Sequence, residues 1–232
     1  MDPSELTPVA QDYLKVIWSA TEWGDAPITT SALAARFGTS APNVTDTVKR
    51  LAAQGLVEHR PYKPVELTPA GHEYAVAMVR RHRLLETFLV EMLGYSWAQV
   101  HDEAERLEHA ASQMLIERID ELLEHPRQDP HGDPIPTPDG RTHVPEGTLL
   151  LADAAPGEYR IVRISDADPD RLHTLELHGV LPGRVVSVRE QGRGIEVLDD
   201  EGDPLPLADD DLAAVRVGAL VPGGSSQVKS SS

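Results

Sequence analysis

Six side chains able to donate a lone pair stand at helical spacing in two neighbouring stretches of this sequence. His82 and Glu86 are four residues apart, one turn along the same face of a helix. His101, Glu105, Glu108 and His109 follow at offsets of 0, 4, 7 and 8, which at ~100° per residue set two imidazoles and two carboxylates within an arc of about 100°. If the two helices pack antiparallel across their short connection, the first pair approaches the second stripe. Imidazole nitrogen and carboxylate oxygen together suit a divalent metal ion. The competing reading is a solvated face, which is the usual fate of Glu and Arg at this spacing, and Asp102, Glu103 and Arg106 read that way. Six ligand-type residues in matching phase favour the metal site. An enzyme built on the same cluster is the alternative, but HExxH is absent, no Ser or Thr sits in a nucleophile elbow, and no general base stands outside the ligand set. No enzymatic activity is expected.

Composition narrows the chemistry further. The 232 residues contain no cysteine, which excludes disulfides, iron–sulfur clusters, thiolate zinc sites and cysteine nucleophiles. Any metal must use His, Asp, Glu or backbone oxygen. No run approaches the ~18 apolar residues of a membrane span, and MDPSELTP lacks the features of a signal peptide, so a cytoplasmic location is expected. The net charge of −17 opposes nucleic-acid binding, which rests on Lys and Arg neutralising phosphates. Its distribution softens that objection: residues 1–70 carry 6 basic and 8 acidic side chains, against 6 and 14 in 71–140 and 9 and 16 in 141–232. Arg36, Lys49, Arg50, Arg60 and Lys63 cluster within the nearly balanced first third.

The elements that must position these residues are legible from periodicity and punctuation. Val9, Tyr13, Leu14, Ile17 and Trp18 predict an amphipathic helix over 7–22, closed by Gly24 and Pro27. Thr29, Thr30 and Ser31 offer caps for a short helix ending at Gly38, and Ser40 caps a third over 41–54 with Val44, Val48 and Leu51 on its buried stripe. LVEHRPYKPVELT sets two short strands around a Pro-bearing turn. Helix, helix, helix, wing is the order of a winged helix-turn-helix. Thr68-Pro69 opens a long helix running to Leu93, and Ser96 with Gln99 opens another expected to continue to about Leu123. Two amphipathic helices too long for one small domain to cover predict a dimer interface. Six prolines between 126 and 146 predict a linker. Beyond it, YRIVRI, RVVSVRE, IEVLD and AAVRV predict a small β-barrel of about five strands with one helical patch near 168–178, and GGSSQVKSSS reads as a disordered tail.

The run from Tyr13 to His131, through RHRLLETFL, VHDEAERLEH and PHGDPIP, resembles the diphtheria toxin repressor family of metal-dependent transcription regulators. The resemblance implies a mainly α N-terminal part followed by an all-β SH3-like (FeoA-like) barrel. The implied domains are a DNA-binding winged helix over 1–68, a helical metal-binding and dimerisation domain over 69–125, a linker over 126–146, the barrel over 147–218 and a tail over 219–232. In iron-responsive members the primary site combines Met, Cys, Glu and His, and those positions fall here on Asp12, Glu105, Glu108 and His109. Carboxylates in place of sulfur suit Mn²⁺, and the substitution is similar to that in the family's manganese regulators. Fe²⁺ and other divalent metals remain alternatives. An ancillary site falls on His82, Glu86 and His101. The barrel's two ligands fall on Asp168 and Arg171, of which only Asp168 can ligate. Short manganese regulators place a Glu one turn after the first-helix aspartate; Lys15 stands there, so two mononuclear sites are expected in place of a binuclear one.

The same resemblance places Ser40, Pro42, Asn43 and Asp46 near base edges in the major groove, with Asp46 departing from the family's neutral glutamine. Lys49, Arg50, Arg60 and Lys63 are the implied phosphate contacts, Arg36 lying in the same basic cluster. Together these features predict a homodimeric, operator-binding repressor controlling manganese genes. Without a bound ion, four or more clustered acids are expected to repel one another and leave the domains free to move independently.

Overall fold

The computed structural model describes residues 3–60, 63–192 and 194–220, so residues 221–232 of the expected tail lie outside the described residues. The chain divides between Val144 and Pro145 into two compact units. In the first, a 3-10 turn (Pro3–Glu5) leads into α1 (Pro8–Glu22), α2 (Thr30–Arg36) and α3 (Ala41–Ala53), then a two-stranded wing, β1 (Val57–Glu58) and β2 (Glu66–Leu67). The long α4 (Pro69–Leu93) follows, with α5 (Trp97–Glu108) and α6 (Gln113–Leu122) after it.

Each helix begins where its side chains satisfy the open backbone donors of the first turn. Thr7, Thr29, Ser40 and Thr68 accept from Ala10, Ala32, Asn43 and Gly71 amides, and Gln99 accepts the Ser96 amide at 3.3 Å. Gly94, at φ 71°, ends α4 in the left-handed conformation. The wing strands are antiparallel, Val57 facing Leu67 and Glu58 facing Glu66.

One helix serves two cores. Tyr74, Ala75 and Val79 of α4 pack with Tyr13, Leu14, Ile17 and Trp18 of α1 and with Val44, Val48 and Leu51 of α3. Further along, Leu84, Leu85 and Leu89 pack with Val100 and Ala104 of α5 and Ile116 and Ile119 of α6. At about 1.5 Å per residue, a helix of this length spans roughly 38 Å, enough to join a reading head to a second helical cluster as one rigid rod. The α1 stripe differs from expectation at one end: Val9 is exposed and Ala10 takes the buried position.

Gly71 is required where α4 starts. A Cβ there would stand 1.9 Å from the Leu56 carbonyl oxygen, which also accepts the Thr68 amide at 3.0 Å. Backbone cannot retreat as a side-chain tip can, so Gly71→Ala is expected to destabilise the unit by about 1–3 kcal/mol or more. Denaturant unfolding at fixed metal concentration checks it; a loss below ~0.5 kcal/mol refutes the close approach.

Two expectations are corrected. The helix predicted from Ser96 to about Leu123 is two helices, because Ser112 accepts the Leu115 amide at 3.2 Å and so caps a fresh start. Part of the 126–146 stretch is a docked strap instead of a free linker. Ile135 is buried in the second core, and Asp129, His131 and Asp133 are all less than a tenth exposed. Prolines forbid helix and central strand, yet leave an irregular strap free to be fixed by side chains.

The second unit is a five-stranded antiparallel sheet in the order β3 (Thr148–Leu150), β7 (Val215–Ala219), β4 (Gly157–Ile164), β5 (Val185–Gln191), β6 (Gly194–Leu198). The helix α7 (Pro169–Leu177) crosses after β4, and a single turn, α8 (Asp209–Leu212), precedes β7. Alternation along the strands buries Ile161, Ile164, Val186, Val188, Val215 and Val217, and Leu172 and Leu175 of α7 are buried as well. No helix among the described residues is long and apolar enough to cross a membrane.

Candidate metal centre

Antiparallel packing of α4 on α5 brings the two predicted stripes together, and α1 closes over them. His82 and Glu86 rise from α4, His101, Glu105 and Glu108 from α5, and His109 from its end. Asp12 and Lys15 come from the side of α1 facing them. Two groups form. In one, a ligand atom each from Asp12, Glu108 and His109 lie within 4.8 Å of one another; in the other, His82, Glu86 and His101 do the same.

In the first group His109 Nε2 is 3.1 Å from Asp12 Oδ1 and 3.9 Å from Glu108 Oε1. In the second, Glu86 Oε1 lies 3.0 Å from His82 Nε2 and 3.1 Å from His101 Nδ1. Two residues link the groups. His82 Nδ1 reaches Glu108 Oε2 at 2.5 Å, and Glu105 Oε1 stands 3.5 Å from both His101 Nε2 and Lys15 Nζ. Glu105 thus lies between the two groups instead of inside the first.

Lys15 offsets part of the expected self-repulsion of the acids. Its ammonium donates to Glu108 Oε1 at 2.6 Å and is almost wholly buried. Burial alone would lower the Lys15 pKa, but the Glu108 carboxylate, with Glu105 and Asp12 behind it, holds it above the usual value. Burial likewise works to raise Glu108, and His82 and Lys15 overcome it, keeping the carboxyl below its ordinary range. Glu86 is held well below that range, its complete burial outweighed by His82, His101 and His131. A hydrogen bond from His101 takes Glu105 down to about 2. Asp12 goes the other way, raised by burial beyond what His109 and Lys15 offset. The three glutamates are therefore anionic donors at neutral pH.

The donor chemistry suits a divalent cation: carboxylate oxygens and imidazole nitrogens, no sulfur, held on three rigid helices. Orphaned atoms point the same way. Glu86 Oε2 and both ring nitrogens of His131 are buried without a hydrogen-bond partner, and His131 Nδ1 lies 4.0 Å from Glu86 Oε2. A buried anionic oxygen and a buried imidazole without hydrogen-bond partners cost free energy, and a cation between that oxygen and the ring's unprotonated nitrogen would recover part of it. Sequence reasoning missed His131 as a donor because it falls in the proline-rich stretch read as a linker. Its signal was the PHGDPIP motif itself, where a histidine stands among residues otherwise suited to turns.

Asp168, in the second unit, caps α7 by accepting the Arg171 amide at 3.2 Å, and Arg171 is committed to Asp168, Asp210 and Asp211. The residues that the resemblance places on DNA are solvent-exposed. Pro42, Asn43, Asp46, Lys49 and Arg50 line the exposed side of α3, opposite Val44, Val48 and Leu51, and Arg36, Ser40, Arg60 and Lys63 are exposed nearby in chain order. Asp46 and Lys49 form a loose, solvated pair at 4.0 Å.

Comparison with known proteins agrees with this architecture. Residues 5–65 match the family model described as iron dependent repressor, N-terminal DNA binding domain, and residues 68–137 match iron dependent repressor, metal binding and dimerisation domain. The chain belongs to the diphtheria toxin repressor family of metal-dependent transcriptional repressors. It is 34% identical to the diphtheria toxin repressor of Corynebacterium glutamicum over 224 residues, covering 92% of this chain and 97% of the relative. It is 37% identical to the iron-dependent repressor IdeR of Mycobacterium tuberculosis over 234 residues, covering 92% and 98%. Among solved structures, a manganese-dependent transcriptional repressor in complex with manganese superposes with a TM-score of 0.85 at 45% identity, covering 91% of this chain and all of the other. The manganese regulator SloR superposes at 0.77 and 30%, covering 93% and 100%. Proteins of this family repress transcription and are not enzymes.

Proposed function

We propose that this metal-dependent repressor answers to manganese, binds operator DNA as a homodimer and controls manganese homeostasis genes. The observation that carries this reading is the donor set. Asp12, Glu108 and His109, with Glu105 beside them, would offer the primary ion oxygen and nitrogen alone, where soft sulfur would favour competing metals that already stand above Mn²⁺ in intrinsic affinity. His82, Glu86 and His101, with His131 beside them, form the second site. Lys15 supplies a fixed positive charge between Glu105 and Glu108, which leaves room for one ion at the primary group and disfavours a close pair. The similarity to manganese-dependent regulators supports the same reading, while the iron-dependent relatives keep Fe²⁺ as its rival.

A bound divalent cation would supply positive charge shared between α1 and the α5 carboxylates. The protein's own contribution is placement: Asp12 belongs to the helix that packs the reading head, whereas Glu108 and His109 belong to α5, which with α4 and α6 carries the exposed apolar side chains Met92, Leu107, Met114 and Leu122. Those side chains are the proposed dimer face. Fixing α1 against α5 in each protomer sets the spacing of the two α3 helices, which must reach successive major grooves ~34 Å apart. By linkage, operator DNA tightens metal binding by the factor by which metal tightens DNA binding.

The test is a titration of Mn²⁺ and Fe²⁺, separately and without oxygen, into protein with a duplex selected from a random library in the presence of Mn²⁺. Retention at lower free Mn²⁺ than the intracellular iron pool can mimic is the expected result; indifference to both metals refutes the reading. The double variant Asp12→Met with Glu105→Cys is expected to move the response toward iron by about tenfold or more, on the order of 1.4 kcal/mol. Unchanged selectivity there shows that donor softness is not the determinant.

A further inference from the structure

His109 offers a metal only one of its two ring nitrogens, and which one is bare depends on a residue outside the ligand set. Gln11, on α1, is 2% exposed. Its side-chain Nε2 donates to the Pro3 carbonyl at 2.6 Å and to the Leu6 carbonyl at 3.0 Å. Two carbonyl oxygens at that end of the amide admit only the NH₂ group, so the amide cannot be reversed. The other end, Oε1, lies 2.6 Å from His109 Nδ1. A carbonyl oxygen has no proton to give, so Nδ1 must carry the hydrogen. In the neutral ring, the form that binds metal, Nε2 is then the bare nitrogen, and it is the one that faces Asp12 and Glu108.

We infer that Gln11 is a positioning residue of the metal centre: anchored by two backbone carbonyls of the N-terminal turn, its amide fixes the tautomer and ring direction of His109 so that Nε2 is presented to the ion. The inference rests on the reading of Asp12, Glu108 and His109 as metal ligands. It extends that site to the first residues of the chain. The Pro3 carbonyl also accepts the Leu6 amide at 3.0 Å, and Glu5 accepts from the Tyr74 hydroxyl at 2.5 Å, so the turn that orients Gln11 is itself held onto α4. Partners of this kind around metal-bound histidines change metal affinity by about 10- to 100-fold when removed, without touching the ion.

Two measurements on the full-length chain test this. Long-range ¹H–¹⁵N correlation on metal-free protein reads the His109 tautomer, and calorimetry with Mn²⁺ alone reads affinity, for the wild type and for Gln11→Leu, Gln11→Glu and His109→Ala. The wild type is expected to show the Nδ1–H form. Gln11→Leu is expected to lose that preference and about 10- to 100-fold in Mn²⁺ affinity. Gln11→Glu restores an acceptor to Nδ1 while giving up the bonds to Pro3 and Leu6, and is expected to recover the tautomer and most of the affinity. An Nε2–H form in the wild type overturns the inference, as does a Gln11→Leu protein that binds Mn²⁺ normally while His109→Ala does not. If His109→Ala binds Mn²⁺ as the wild type does, the metal-centre reading itself fails. Should Gln11→Leu not fold, the wild-type tautomer and Gln11→Glu decide, and loss of affinity in a folded Gln11→Glu protein overturns the inference.

Discussion

Asp12→Ala leaves a folded protein whose DNA binding no longer responds to metal. The Asp12 side chain is about one-third exposed, at 34%, and its partner is the His109 ring at 3.1 Å, so the expected loss of stability is at most about 1 kcal/mol, as for other partly solvated pairs. Lys15 still ties α1 to Glu108, and the α1 stripe of Tyr13, Leu14, Ile17 and Trp18 remains packed. What disappears is the only carboxylate that the reading head, among the described residues, places in the primary group. Metal held by Glu108 and His109 alone bears on the dimerisation helices and has no hold on α1. For a coupling of about 1–3 kcal/mol, the metal-dependent gain in operator affinity is roughly 5- to 150-fold, and the whole of it should vanish. Fluorescence anisotropy with labelled duplex, with and without Mn²⁺, measures this directly, and thermal melts establish that the variant is folded. A variant that keeps its full metal dependence would show that the signal reaches α3 without passing through Asp12.

The contrast between the two ends of α1 also shows what a sequence can and cannot disclose. Most helix starts were legible because capping is local chemistry: Ser40, Thr68 and Ser96 each stand a few residues from the amides they organise, although Ser112, inside an unbroken apolar pattern, was passed over. The ligand stripe was legible because the period of a helix is fixed, so His82 with Glu86 and His101 with Glu105, Glu108 and His109 had to share faces. Three things were not. Lys15 could be seen to replace an acid, but its ion pair with Glu108 spans 93 residues, and no local pattern encodes that. Gln11 is an ordinary polar residue beside Asp12, and its role depends on where the chain before it turns. His131 and its neighbours Asp129 and Asp133 sat in a proline-rich stretch, where the absence of periodicity was read as the absence of structure. Prolines remove helix and sheet from the options; they do not prevent side chains from fixing an irregular path.

That strap supplies the prediction with the largest expected effect on stability, Arg83→Met. The Arg83 guanidinium meets Glu22 with two parallel bonds of 2.8 and 2.6 Å, donates to the Pro134 carbonyl at 2.7 Å, and lies 3.5 Å from both Asp129 and Asp133. All four side chains are nearly inaccessible, at 7% for Arg83 and 2–3% for the three acids. Burial works to lower the Arg83 pKa, but Asp133, Glu22 and Asp129 hold it far above its usual value, so the guanidinium is a permanent cation among anions. Methionine keeps much of the stem that lies near Trp18, whose ring the guanidinium overlies at 5.7 Å, and removes only the charge and its donors. Three buried carboxylates then lose a shared cation, a change that costs about 3–5 kcal/mol when one partner of a buried ion pair is removed. Arg83→Lys should recover only part of this, since an ammonium cannot reproduce the two-pronged contact with Glu22. The consequence reaches function because the clamp joins three pieces: Glu22 ends α1, Arg83 lies on α4, and Asp129 and Asp133 belong to the strap, with Trp23 donating to Asp133 at 2.7 Å. It holds α1 at the end opposite Asp12, and a helix loose at that end cannot pass on what is done to the other. In a folded fraction of Arg83→Met, Mn²⁺ should therefore still bind while its effect on DNA affinity is blunted. Guanidinium unfolding at fixed Mn²⁺ measures the first effect through the midpoint at unchanged slope. A loss under about 1 kcal/mol would mean that the acids find other partners and that the clamp does not govern the position of α1.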